Sequence, residues 1–163
     1  YGKNAHEIIE TRIRAINGAI EGKPDDLIIT MHICGGNFRS TYFAEGGYDH
    51  ISDAIFAKLN LDGLFLEYDD KRSGDFEPLK SFQRENQKVV LGLLTSKYPE
   101  LEDPDLIRER IQEASQYIPL KNLALSPQCG FSSTEEGNIL TEEEQWNKIQ
   151  HLIQIAESVW GTK

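Results

Sequence analysis

The sequence predicts an α/β fold in which parallel strands alternate with helices. Four short apolar, largely β-branched or leucine-rich runs start at residues 27, 63, 89 and 123. Each is followed by a helix or by a connection long enough to hold one, and the repeat of roughly 30 residues is what a right-handed crossover between parallel strands requires. A chain of 163 residues with 39% hydrophobic content suffices for one domain with a real core.

The elements follow in order. Over residues 5–20, Ile8, Ile9, Ile13, Ile16 and Ile20 recur at spacings of three and four, one face of an amphipathic helix that Gly22 and Pro24 stop. Residues 27–34 (LIITMHIC) form a continuous apolar run closed by Gly35 and Gly36, which suits a strand covered on both faces. Residues 48–59 read as a helix with Ile51, Ala54, Ile55 and Leu59 on one side. The segments 63–67 (GLFLE) and 89–95 (VVLGLLT) are the second and third strands. Behind Pro104, Leu106, Ile107, Ile111, Ala114 and Tyr117 give a helix over 105–117, and 123–129 (LALSPQC) is the fourth strand. A last helix spans 142–159, with Thr141 as its N-cap and Gly161 beyond its end. An open doubly wound sheet and part of a (β/α)8 barrel both fit this alternation, and four units are half of a closed barrel. The chain opens on Tyr1 and runs almost at once into a helical pattern, as expected of a piece of a longer protein.

Charge narrows the function. Seventeen Lys and Arg against 27 Asp and Glu leave a net charge of -10, which disfavours partners held by phosphate neutralisation: nucleic acid and anionic membrane surfaces. No run of about 18 apolar residues and no apolar secretory segment occurs, so a cytoplasmic protein is expected. Two cysteines, Cys34 and Cys129, make no disulfide framework.

In either α/β architecture chemistry belongs at the carboxyl ends of the strands. His32 and Cys34 lie two apart near the end of the first strand and leave the same side of it; Glu67 ends the second and Cys129 the fourth. One nitrogen, two sulfurs and one oxygen are a donor set that suits zinc. Each residue alone has a plainer reading, as a buried thiol or a hydrogen-bonded histidine, but a carboxylate ending a buried strand needs a cation or donors. Glu67, Asp69 and Asp70 together offer a hard-cation alternative. Gly35-Gly36-Asn37 fits neither phosphate-loop pattern and reads as a turn beside the site, and no Ser lies in a GxSxG context. His6, His50 and His151 fall in helical segments and read as surface residues.

Three blocks, MHICGGNFRS, FLEYDDKRSGDFEPL and LSPQCGF, resemble in order the zinc-bearing carboxy-terminal half of the cobalamin-independent methionine synthase family, in particular its short, single-barrel members. The resemblance covers roughly residues 25–161. It implies the carboxy-terminal half of a (β/α)8 TIM barrel, with residues 1–163 a partial barrel domain holding strands five to eight. It further implies zinc held by His32, Cys34, Glu67 and Cys129, and methyl transfer from methyltetrahydrofolate or a related donor to homocysteine, giving methionine. Glu67, the oxygen donor in a soft site, is expected to be the exchangeable ligand. Two-barrel members carry a His after the third of these strands as proton donor; here that loop reads Thr95-Ser96-Lys97, so Lys97 becomes the candidate acid. The resemblance also puts a homocysteine-binding acid before the first helix, so these residues alone are expected to be inactive and to pair with the remaining half-barrel or with their own copy. Two other readings stand beside it: a zinc hydrolase with metal-bound water, which two thiolates and no nearby His base disfavour, and a non-catalytic half-barrel assembly module.

Overall fold

The computed structural model describes residues 4–132 and 134–161. Its centre is one parallel sheet in the order β1-β2-β3-β4, formed by Thr30–Ile33, Gly63–Glu67, Lys88–Leu94 and Leu123–Pro127. Around it lie α1 (Ala5–Ala19), α2 (Pro104–Ala114) and α3 (Glu142–Trp160). The expected order of elements is therefore present, with every strand pair parallel.

Register explains how the sheet sorts its side chains. His32 pairs with Phe65, Phe65 with Val90 and Val90 with Ala124, so these four share one face. Leu64, Leu66, Val89, Leu91, Leu93 and Leu123 lie on the opposite face and form the core with Ile107 and Ile111 of α2 and Ile155 of α3. β3, flanked by strands on both sides, is buried along all but its first residue. β1 is an edge strand with alternating exposed and half-buried residues, so the expectation that it is covered on both faces does not hold.

Local chemistry sets the helix ends. Asn4 caps α1 through a hydrogen bond from His6 N, and Asp103 caps α2, whose first residue is Pro104. Thr141 and Glu144 form a reciprocal capping box at α3, and Gly161 follows its end at φ 82°. The 48–59 segment departs from a regular helix. Only a π-helical turn, Ala54–Lys58, is continuous there, because Tyr48 is drawn inward to hydrogen-bond across β2: its hydroxyl accepts from Glu67 N at 2.7 Å and lies 3.3 Å from Glu67 O. His6 and His50 are exposed, His50 in a turn rather than a helix, whereas His151 is half-buried with Nε2 2.7 Å from Glu102 O. His151 is thus a structural residue, not a surface one.

β3 carries a glycine that shapes the site. A Cβ at Gly92 would lie 2.8 Å from Leu66 O and 3.2 Å from the Gln128 Cα. The pairing with β4 shifts between Gly92 and Leu94, and Gln128 N donates to Leu94 O at 2.7 Å. This irregularity brings Gln128 and Cys129 over the end of β2.

Candidate metal centre

The carboxyl ends of β1, β2 and β4 bring together the four residues singled out in the sequence. The ligand atoms of His32, Cys34, Glu67 and Cys129 all lie within 4.8 Å of one another. His32 Nε2 is 3.1 Å and Cys129 Sγ 2.8 Å from Glu67 Oε1; Cys129 Sγ is 3.3 Å from Cys34 Sγ and 3.6 Å from His32 Nε2. Bonds of about 2.0–2.3 Å to a tetrahedral zinc place ligand atoms roughly 3.3–3.8 Å apart. The cluster closes on such a centre with side-chain shifts of about 1 Å, and the donor set is one zinc accepts.

Each donor is aimed by its backbone. His32 and Cys34 leave β1 and its extension on the same side. Cys34 Sγ accepts from Gly36 N at 3.1 Å, one turn of the loop folding back onto the sulfur. Glu67, 4% exposed at the end of β2, is held by Gly35 N–H at 2.7 Å and Gln128 Nε2 at 3.1 Å, both on Oε2. A Cβ at position 35 would lie 2.9 Å from that oxygen, so the close approach of this peptide to the carboxylate requires glycine.

The protonation states follow from these contacts. Burial pushes the Glu67 carboxyl up, but hydrogen bonds from His32, Cys129, Gln128 and Gly35 outweigh it and hold the group down at about 2, from an ordinary 4.5. Burial pushes the Cys129 thiol well above its ordinary range, and the contacts with Glu67 and Cys34 push it the same way. Without a metal, Cys129 is a thiol donating to a carboxylate; a metal must displace that proton.

Two spaces adjoin the cluster. A cavity of about 180 Å³ beside Cys34 and Glu67 is lined by Tyr42, Glu45, Tyr48 and Asp70, among others. On the other side, an open groove along Thr30, His32, Phe65, Ser126 and Cys129 follows the uncovered face of the sheet.

Lys97 lies elsewhere than on the open side. Its side chain is 1% exposed and its ammonium donates to Asp69 Oδ2 at 2.6 Å and to Gln128 Oε1. Asp69 is thereby drawn into an ion pair, while Asp70 caps the next turn by accepting from Arg72 N at 2.8 Å. The acidic triplet does not converge on one point. The sequence places Gly35 in a turn beside the site but does not single out Gln128 or Tyr48, although Gln128 sits beside Cys129 in the SPQC run.

Comparison with known proteins identifies the family and the fold. Residues 12–157 match the family described as cobalamin-independent synthase, catalytic domain. The chain is 58% identical over 160 residues, 98% of its length, to the uncharacterised protein YxjG of Bacillus subtilis (strain 168), and 60% identical over 147 residues, 90% of its length, to the uncharacterised YxjH of the same organism. It superposes with a TM-score of 0.80 and 44% identity, over 99% of its length, on a Listeria monocytogenes protein provisionally named a vitamin-B12 independent methionine synthase. A B12-independent methionine synthase from Shewanella sp. W3-18-1, solved with selenomethionine, shares the fold at TM-score 0.74 and 21% identity over 94% of the chain. The chain spans 42% and 39% of the two Bacillus proteins and 44% of each solved chain. By the match over most of its length, this chain belongs to the cobalamin-independent synthase catalytic-domain family.

Proposed function

We propose that the chain carries the zinc site of an S-methyltransferase that moves a methyl group from methyltetrahydrofolate or a related donor to homocysteine, giving methionine. The observation that carries this reading is the convergence of two thiols, one imidazole and one carboxylate within 4.8 Å in a chain of this family. The residues that would hold the ion are His32, Cys34, Glu67 and Cys129. Zinc bound there would supply the Lewis acidity that keeps an incoming thiol deprotonated near neutral pH.

The chain's own residues account for the rest. The two cysteines and the histidine provide soft donors that suit a sulfur substrate. Glu67 is the ligand expected to give way: Oε2 is already engaged by Gly35 and Gln128, so Oε1 can leave a cation without the side chain losing its seat. In the overall exchange a carbon–nitrogen bond of the donor breaks and a carbon–sulfur bond forms. The thiol loses a proton and the donor nitrogen gains one. The Lys97 ammonium is buried and taken up by Asp69 and Gln128, both of which line the cavity beside Glu67.

The cavity of about 180 Å³ is smaller than the roughly 300–1,000 Å³ of sites for drug-sized molecules and suits an amino-acid-sized thiol. The larger donor would use the open groove and the remainder of the barrel, of which residues 1–163 are read as strands five to eight. The two free cysteines suit the reducing cytoplasm, and no described helix is long and apolar enough to cross a membrane. The test is methyl transfer: the zinc-loaded complete protein, given homocysteine and labelled methyltetrahydrofolate, should form labelled methionine. Zinc binding without transfer from any of a panel of methyl donors would refute the assignment.

A further inference from the structure

Behind Glu67, on the side away from His32 and Cys129, runs a chain of buried polar groups that metal ligation does not use. The Gln128 side chain donates through Nε2 to Glu67 Oε2 at 3.1 Å and accepts at Oε1 from the Lys97 ammonium. Lys97 also donates to Asp69 Oδ2 at 2.6 Å and reaches Thr95 Oγ1 at 3.5 Å. Both partners of the Lys97–Asp69 pair are nearly inaccessible to solvent, at 1% and 4% side-chain exposure.

The donor and acceptor inventory makes this arrangement directional. A lysine ammonium has donors only, so the amide must turn its oxygen towards Lys97 and its NH2 towards Glu67. With the Gly35 N–H at 2.7 Å, that NH2 occupies Oε2 and leaves Oε1 facing His32 and Cys129. A flipped amide would set its oxygen against the carboxylate and its NH2 against the ammonium, two mismatches in a buried site. The Gly92 irregularity that brings Gln128 over β2 is the backbone part of the same device.

We infer that Gln128 is a positioning residue that fixes Glu67 for ligation through one oxygen, and that the Lys97–Asp69 pair is the anchor that sets the orientation of its amide. This inference rests on the metal reading given above. Partners that hold a ligand from behind commonly change metal affinity by about 10–100-fold when removed.

The experiment uses cobalt(II) as the probe, titrated into the metal-free chain in competition with a chromophoric chelator, with the ligand-field spectrum recorded at saturation. Three proteins are compared with the wild type: Gln128→Met; Lys97→Met together with Asp69→Asn, which leaves no buried charge uncompensated; and all three substitutions combined. Gln128→Met should lower cobalt affinity by about 10–100-fold and alter the spectrum, because Glu67 Oε2 keeps only the Gly35 N–H and is less firmly held away from the ion. The neutralised pair should lower affinity less, and the combined variant should bind no more weakly than Gln128→Met, since the pair acts through Gln128. A structural role alone would lower the melting temperature while leaving the spectrum unchanged. Wild-type affinity and spectrum in Gln128→Met, or additive losses in the combined variant, would overturn the inference while the metal reading stands. Failure of the wild type to bind cobalt would overturn both.

Discussion

Replacing Glu67 by Gln tests the site before any metal is added. The carboxylate accepts four hydrogen bonds, from His32 and Cys129 on Oε1 and from Gly35 and Gln128 on Oε2. An amide oxygen can replace the carboxylate on one side only; on the other, its NH2 cannot take the hydrogen bonds that the carboxylate accepts there. The magnitude follows from the carboxyl group being held at about 2 rather than 4.5, which corresponds to about 3 kcal/mol carried by the ionised form. The folded-state value is the lower one, so this stability is fully present above about pH 5 and is lost as pH falls through 2. Urea unfolding of the metal-free chain, at fixed protein concentration, should show Glu67→Gln less stable by about 3 kcal/mol at pH 7. The gap should close as the pH approaches 2, where the wild type has lost its advantage. Equal stability at pH 7, or a gap that stays constant through the acid range, would mean that the four hydrogen bonds do not favour the charged form.

Other expectations follow from the same geometry. Cys129→Ser should weaken zinc by more than the roughly 100-fold upper end seen for residues that merely support a ligand, measured by chelator competition. Because the Cys129 thiol is pushed up, zinc must displace its proton; apparent affinity should rise by about one log unit per pH unit near neutrality for each proton released, and a flat profile would show that the thiol is already ionised. The sheet leaves β1 and β4 as its edges, each with a row of unpaired backbone groups. Residues 1–163 alone should therefore sediment as a dimer or larger species, binding zinc without methylating homocysteine, and a stable monomer with full turnover would contradict this.

How much of this could be read from the sequence depended on the range of the interactions. β2 and β3 were legible because strands buried by neighbours on both sides need apolar runs, and the ends of α3 were marked by Thr141 and Gly161, whose capping is local chemistry. The apolar spacing of 48–59 is helical, while the contact that holds Tyr48 out of a regular helix is with Glu67, nineteen residues away. The four candidate ligands were visible because strand ends in parallel sheets converge and donor chemistry is a property of residue type. What holds those ligands was not. Gln128 and Lys97 meet only through the shifted β3–β4 pairing, and neither residue carries a signal by itself that it points inward.

In the proposed function, His32, Cys34, Glu67 and Cys129 form one zinc centre that takes up a thiol substrate. X-ray absorption at the zinc edge of the loaded protein measures this directly. Two sulfurs at about 2.3 Å with nitrogen and oxygen donors at about 2.0–2.2 Å are expected, changing on addition of homocysteine to three sulfurs with loss of the oxygen. A zinc shell with nitrogen and oxygen only, or a two-sulfur shell that homocysteine leaves unchanged, would rule out this thiol-binding centre.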